Sequence, residues 1–392
     1  MTSEFDTRGF VFWAVGNGDS TTVVIKENEV VMQVDLRHMG LADDEDDPHV
    51  SIVDELEEKL PKQNGRPYLS VFALTHLDED HIQGFKDLLE RIDIGEIWHT
   101  PRIFREQEEE LREHAAAFKE EVERRRDVVI QKGGEPDSGD RLRIIGHDQL
   151  LEEEEYEGFP DECRTVPGNP ITRIDGADYE SEFEAFIHAP FKDDSEGERN
   201  DTSLAMQIQL QDGDNTVKAL LFGDLKYPII KKIFQKTEEN ENLEKVEWNI
   251  LLAPHHCSKS VMYWPNEGED DESLQNDILD YLEKFAIDEK AYIVASCESD
   301  FSNKKGKNPP HKKARDRYEE LIDSGNFLCT HEHLTEEKPE PIQFELGDQG
   351  FNYIDSSQTL VSTQNSDSDD FLDAVATARG NEEPPTKTVG FG

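Results

Sequence analysis

The feature that most constrains this chain is the alternation of short apolar runs with segments of helical spacing. "FVFWAVG" (10–16), "STTVVIK" (20–26), "EVVMQVDL" (29–36) and "LSVFALT" (69–75) are strand-length and rich in Val, Phe, Leu and Thr. Gly16-Asn17-Gly18-Asp19 joins the first two as a hairpin signal. "SIVDELEEKL" (51–60), apolar at Ile52, Val53, Leu56 and Leu60, reads as a helix, as does "GFKDLLERI" (84–92), and "IGEIWHT" (94–100) reads as a strand. Strands resume at "EFEAFIHAP" (182–190), "TSLAMQIQL" (202–210), "VKALLFGDL" (217–225), "WNILLAPHH" (248–256) and "AYIVASC" (291–297). Helical segments at 227–236, 272–285 and 311–325 are interleaved with them. Such an order predicts a layered α/β fold.

Charge sets the background. The chain has 392 residues, 89 Asp and Glu against 41 Lys and Arg, and a formal net charge of −48. Runs such as "LADDEDDPH" (41–49) and "EEEEYE" (152–157) need no role beyond solvation in such a chain. The same charge opposes nonspecific adhesion to nucleic acid or anionic lipid, though a local basic groove remains compatible with it. The four cysteines, Cys163, Cys257, Cys297 and Cys329, are scattered and form no CxxC pair, which predicts free thiols in a reducing compartment. No signal-peptide pattern opens the chain, and no apolar stretch approaches the ~20 residues of a membrane span. A cytoplasmic protein with no membrane partner is the expectation.

Residues 105–126 read as a long charged helix supported by pairs at four-residue spacing. The region 101–180, which also holds a strand signal at 141–145 and an acidic helical stretch, reads as an insert within one domain spanning 1–355. From about 356 the composition shifts to Ser, Asp, Asn, Thr and Pro, which predicts a flexible tail over 356–392 with a short helix at 369–378.

Four apolar runs end abruptly in residues suited to metals. His76-x-Asp78-x-Asp80-His81 follows the run at 69–75, and Asn200-Asp201 precedes the one at 202–210. Gly223-Asp224 and His255-His256 end two more. Taken singly, a Gly-Asp after a strand is ordinarily a turn, and a His pair is ordinarily surface or core. Even the hexapeptide has a bland explanation in so acidic a chain. Their joint occurrence in this order does not, because each strand can hold its polar end rigidly at one sheet edge, and His nitrogens with Asp oxygens suit divalent transition metals.

In that order the chain resembles the metallo-β-lactamase fold, and within it the hydrolase domain of ComEC-type DNA-uptake proteins and their soluble relatives. The matching stretches are "VGNGDST" (15–21), "QVDL" (33–36), the His76–His81 hexapeptide, "NDTSLAMQI" (200–208), "LFGDL" (221–225) and "PHHCSKS" (254–260). Residues 308–333 look like the family's closing helix and strand, so the likeness covers roughly 10–355 apart from the insert. It implies an αββα four-layer sandwich with a dinuclear site on one edge. By the resemblance, Asp80, His81, Asp224 and one of His255 and His256 hold one metal, with His256 favoured. Asp224 bridges to a second metal held by His76 and Asp78, and Asn200 stands near where many relatives place another histidine ligand. His255 is then near the leaving group as a proton donor, and Lys259 beside the site for a phosphate contact. Cys257 replaces the glycine of the family's "HHGS", and Leu36-Arg37 follows Asp35 where a "DTG"-like turn is common, so Arg37 or His38 is expected to enter the site.

Two divalent ions, zinc or manganese, are therefore the expected cofactors. A bound ion lowers the pKa of water from about 15.7 toward about 7, and a pair of them can clamp both oxygens of a phosphodiester in displacement. The expected activity is that of a metal-dependent hydrolase, a phosphodiesterase or nuclease with nucleic acid or a nucleotide as substrate. The alternatives are a regulatory component using the fold as a scaffold, and an amide or thioester hydrolase. In the regulatory reading the acidic insert or the C-terminal tail docks a protein partner.

Overall fold

The computed structural model describes residues 5–354 except 45–46, 106–110, 195–198, 288–289, 305, 323–324 and 334–338. Two mixed sheets carry the fold. The first runs from Gly350–Ile354 and Ile342–Gly347 through Gly9–Phe12, Thr21–Lys26 and Val30–Val34, then on to Arg66–Ala73, Asp93–His99, Arg141–Ile145 and Arg164–Thr165. It is antiparallel from Ile342–Gly347 to Val30–Val34 and parallel beyond, with Val34 opposite Ala73 and Ala73 opposite Trp98. The second runs Phe327–Cys329, Tyr292–Ala295, Ile250–Leu252, Asn215–Leu221, Ala205–Asp212, Phe183–Ala189 and Pro170–Ile171. Its first four strands are parallel and the rest antiparallel.

Period-two alternation sorts the side chains of each strand into separate cores. Phe10, Phe12, Val23 and Ile25 of the first sheet pack with Met206, Ile208, Val217 and Ile250 of the second, which forms the middle core. The intervening Val11, Val24 and Val31, with Phe72, face outward. They bury against Ile52, Val53 and Leu56 of helix Ile52–Lys59, Phe85 and Leu88 of helix Phe85–Arg91, and Phe118 and Val122 of helix Glu113–Lys132. On the other side Leu220, Leu251 and Ile293 pack on Ile230, Ile233 and Phe234 of helix Tyr227–Glu239 and on Ile278 and Leu282 of helix Asn276–Phe285. Helix Lys312–Leu321 adds Ala314 and Tyr318 to that core. Each apolar side chain so buried stabilises the fold by about 1.5–3 kcal/mol relative to exposure. Helices, sheet, sheet and helices make the αββα sandwich.

The segment 101–180 departs in detail from its reading. Its helix begins at Glu113 and runs to Lys132, where Gly133 closes it in the left-handed region (φ 64) by bonding back to Ile130. The buried face Ala115, Phe118, Val122, Arg125 and Val129 places this window, since charge pairing alone cannot say where a helix starts. Arg125 is only 2% exposed; it pairs with Glu121 and donates to the carbonyls of Ile94, Gly95 and Arg141, tying the helix to two parallel strands. The acidic stretch forms two short 3₁₀ turns, Leu150–Glu152 and Glu154–Tyr156, because consecutive glutamates repel and Tyr156 alone anchors the second one in the core.

Met1–Tyr353 form one compact unit and Ile354–Gly392 a second. The tail expected at 356–392, with its short helix, lies outside the described residues. No helix among the described residues is long and apolar enough to cross a membrane.

Candidate metal centre

Parallel strands deliver their carboxyl ends to one edge of a sheet, and that edge is where α/β sheets hold ligands. Asp35 follows Val30–Val34, Thr75 and His76 follow Arg66–Ala73, Asp224 follows Asn215–Leu221, and His255-His256 follow Ile250–Leu252. The two sheets are joined there by Leu204 N–H to Thr75 O (3.0 Å) and by the Ser296 hydroxyl to Gly18 O (2.6 Å). Two glycines permit this crowding. Gly223 is left-handed (φ 52), and a Cβ on it would stand 3.0 Å from Ser203 Cβ. At Gly18 a Cβ would overlap Arg37 and the main chain of Asp80.

Asp224 divides the cluster in two. Its Oδ1 lies 3.2 Å from His81 Nε2 and 3.5 Å from His256 Nε2. Those two nitrogens are 3.2 Å apart, and Asp80 Oδ2 is 3.4 Å from His256 Nε2. Its Oδ2 lies 3.5 Å from His255 Nε2 and 3.8 Å from His76 Nε2, and His76 Nε2 is in turn 3.8 Å from Asp78 Oδ2. Ligands about 2.0–2.3 Å from a tetrahedral ion stand roughly 3.3–3.8 Å from one another, the spacing seen in both groups.

The proton positions favour a cation as well. Asp35 Oδ2 sits 2.7 Å from His81 Nδ1 and accepts from the Thr75 hydroxyl at 2.6 Å, while Oδ1 accepts Thr75 N–H at 2.7 Å. The same hydroxyl oxygen lies 3.1 Å from His76 Nδ1, and Asp19 Oδ1 lies 3.4 Å from His256 Nδ1. With the Nδ1 protons turned to these oxygens, the Nε2 lone pairs converge on the two oxygens of Asp224. His76 Nε2 and Asp224 Oδ1 are buried with no hydrogen-bond partner among the described residues. Second oxygens behind metal-bound histidines set ring tautomer and orientation in this way. Asp19, His81, Asp224 and His256 bring ligand atoms within 4.8 Å of one another. The residues present fit a divalent ion in each group.

Electrostatics agree. Burial opposes charge on His81, yet Asp224 and Asp35 outweigh it and hold its pKa well above the usual value. Burial likewise opposes charge on His256, but Asp224 and Asp19 raise its pKa to about 10. Asp224, despite burial, is held well below the carboxylate range by His256 and His81, and Asp80 is held down by its bond to His256 and the His81 charge. Protons on His81 and His256 thus stand where a metal ion would neutralise the same carboxylates. Burial, with His81 beside it, lowers His76, and burial with His256 lowers His255 to about 4. That lowering favours a neutral His255 ring with a lone pair on Nε2 in the metal-free chain.

The structure therefore brings His76, Asp78, Asp80, His81, Asp224, His255 and His256 together, and gives each member of the His255-His256 pair its own group. Asn200 reaches the cluster as a donor, its Nδ2 lying 3.3 Å from Asp224 Oδ2, so it steadies that carboxylate. Asp78 also faces Arg199, at 3.3 Å. The ammonium of Lys259 pairs with Glu272, and no contact joins it to the cluster among the described residues. Cys257 is wholly buried in the core under the second sheet's helices, and His38 turns to Asp43. His311 accepts from Lys259 N–H and donates its own N–H to Cys257 O, bracing the loop that carries the His pair. Sequence reasoning missed the roles of Asp19 and Asp35, although both lie in stretches quoted for the resemblance.

No protein-family model matches the chain, and no curated protein sequence matches it. Among solved structures, the metallo-β-lactamase fold protein YhfI from Bacillus subtilis is similar at 11% identity and a TM-score of 0.34, over 86% of this chain and 99% of that one. The B3 metallo-β-lactamase described as the first with an active-site glutamic acid is similar at 12% identity and a TM-score of 0.36, over 71% and 85%. The class B3 di-zinc metallo-β-lactamase LRA-12 from an Alaskan soil metagenome is similar at 12% identity and a TM-score of 0.28, over 73% and 94%. The chain's own two sheets, its three cores and the His/Asp cluster on their shared edge are those of a metallo-β-lactamase fold.

Proposed function

We propose that this chain is a metal-dependent hydrolase whose substrate is a phosphodiester, in a nucleotide or a short nucleic-acid strand. The observation that carries the hydrolase reading is the division of Asp224, one oxygen facing each of two His/Asp groups. Divalent ions held by Asp80, His81, His256 and Asp224 on one side and by His76, Asp78, His255 and Asp224 on the other would supply hydroxide at neutral pH and neutralise charge on the reacting phosphate. This donor set suits zinc or manganese. Asp35 and Thr75 fix the His81 and His76 rings. Asp80, its side chain 35% exposed, opens the cluster toward solvent and is placed to accept a hydrogen bond from the attacking water.

The anionic substrate is suggested by Arg37. Its Nε and Nη1 are buried and have no hydrogen-bond partner among the described residues. Burial lowers its pKa, while Asp80 and Glu298 oppose that shift, so the guanidinium stands within reach of the cluster's field. A fork of open donors beside a hydrolytic centre matches the paired oxygens of a phosphate. The charge of −48 disfavours long duplex, whose binding would be lost first as like charges approach.

The test is a substrate panel with zinc, manganese or magnesium added to the metal-stripped chain. Bis-p-nitrophenyl phosphate, dinucleotides, and single- and double-stranded DNA and RNA are set against peptide, thioester and lactam substrates. Phosphodiester cleavage that disappears in Asp224→Ala is expected. Turnover confined to the amide, thioester or lactam arm would overturn the phosphodiester reading and leave the hydrolase standing.

A further inference from the structure

We propose that His49, Glu298 and His331 form a second, separate site for a divalent transition-metal ion of zinc's ligand chemistry, beside Arg37. None of the three belongs to the cluster around Asp224, and the inference does not depend on what that cluster hydrolyses. They come from three chain segments: the loop before helix Ile52–Lys59, the residues after strand Tyr292–Ala295, and those after strand Phe327–Cys329. Their ligand atoms lie within 4.8 Å of one another. His49 Nε2 is 2.9 Å from Glu298 Oε1, and His331 Nδ1 is 3.3 Å from Glu298 Oε2. The two imidazoles stack at 5.7 Å with 13° between their planes.

The hydrogen bonds around the trio place lone pairs where a cation belongs. Asp47 Oδ1 accepts the backbone N–H of His49 at 2.9 Å and lies 2.7 Å from its Nδ1, which puts the ring proton there. His49 Nε2 then faces a carboxylate oxygen, a position that a second ring proton or a cation can fill, and the Glu298 and Asp47 carboxylates raise the His49 pKa. The N–H of Ser299 donates to His331 Nδ1 at 3.3 Å, so that nitrogen carries no proton, and an ion bound there would take its lone pair in place of this bond. Nitrogen and oxygen at these distances call for positive charge between them, which a ring proton or a metal ion supplies. A carboxylate behind the far nitrogen of a histidine is the arrangement that orients metal-bound imidazole, and two His with one Glu leave a fourth tetrahedral position for water.

The supporting backbone is tied down on all sides. Val50 N–H bonds Ala14 O (3.0 Å), Glu298 N–H bonds Asn17 Oδ1 (2.8 Å) and Thr330 N–H bonds Ala295 O (3.0 Å). The histidine side chains are 11% and 13% exposed and Glu298 is 33% exposed, so the site is shielded yet open to ions on the Glu298 side. Arg37 borders it: a Cβ on Gly16 would meet Glu298 Oε1, His49 Nε2 and Arg37 Nη1, all within 3.3 Å. The guanidinium opposes a cation there, which sets the affinity below that of the main centre. An ion in this place takes up the Glu298 charge and leaves Arg37 to Asp80 and a substrate anion.

The experiment loads the full metal-stripped chain with zinc alone, dialyses it, and counts metal per chain by mass spectrometry. Wild type is compared with Asp224→Ala and with the double variant His49→Gln/His331→Gln. The double variant is expected to hold one zinc fewer than wild type, and Asp224→Ala to keep the zinc that the double variant loses. Chelator titration should remove that ion first. Equal zinc content in wild type and the double variant would overturn the proposal and mark His49 as an imidazolium held between Asp47 and Glu298. Should the double variant not fold, anomalous scattering at the zinc edge from wild-type crystals decides. A peak about 2.0–2.3 Å from His49 Nε2 and a His331 nitrogen is expected, and its absence beside an occupied main centre overturns the site.

Discussion

Competition between protons and metal governs the single residues of the main centre. The His256 pKa is raised to about 10 in the metal-free chain, so at pH 7 an ion must displace its proton, and that of His81 as well. Fewer protons compete as pH rises, so zinc affinity should climb at least tenfold per pH unit between pH 6 and 8. Chelator-competition titrations at several pH values check this, and a flat profile would count against these ligands. The sign for stability is opposite. A group raised from 6.5 to about 10 stabilises the metal-free fold fully below pH 6.5, and that contribution is lost as pH rises through about 10. Arg37 offers a cleaner probe of substrate. Arg37→Ala should raise KM for a phosphodiester by roughly 10- to 100-fold, the worth of a charge-assisted hydrogen bond, and leave the zinc bound at the main centre unchanged. Equal KM values in wild type and variant would remove Arg37 from substrate binding.

The turn carrying the His pair is the most strained element at the site. His255, His256 and Cys257 are consecutive left-handed residues, with φ of 52, 52 and 62. For residues with a side chain this costs about 1–2 kcal/mol each. The turn is held by Pro254 at its start, by His255 N–H to Gly223 O (3.0 Å), and by His311 N–H to Cys257 O (3.1 Å). It turns the two imidazoles to 86° from one another, so that each enters its own group around Asp224. At position 257 the positive φ of 62 is one that glycine adopts without strain. Cys257→Gly should relieve about 1 kcal/mol of backbone strain and lose a comparable amount of buried thiol surface. The expected result is a melting temperature within a few degrees of wild type and unchanged metal content, read by calorimetry and metal analysis. A loss of metal would show that the thiol does more than fill the core.

Across the whole molecule the His/Asp cluster lies on the seam between the two sheets. Strand ends from both sheets contribute to it, and its buried carboxylates are balanced by protons on His81 and His256, which an ion would replace. An ion present at about a hundred times its dissociation constant adds about 2.7 kcal/mol of stability. For a domain of this size that is a rise of roughly 4 °C. Thermal melts of the chain after chelation and after zinc return measure it, and coincident curves would contradict a structural share for the metal.

Much of this was legible in the chain itself. Strand-length apolar runs and helical spacing at Ile52 to Leu60 depend on near neighbours, so periodicity led to the layered α/β architecture, while the candidate ligands came from the order of the motifs ending in His255-His256 and the family resemblance that order carries. What the tertiary structure decided is non-local. His81 and His256 stand 175 residues apart in sequence and 3.2 Å apart in space, and only sheet register sets that distance. The same register turns each oxygen of Asp224 to a different group, puts Asp35 and Asp19 behind the histidines, and leaves Glu79 outside the cluster. It also gathers His49, Glu298 and His331, three residues that no motif connects. Burial then sorts the acids: in a chain with 89 of them, only those forced together in a low-dielectric seam demand a positive partner, and that demand cannot be read from composition.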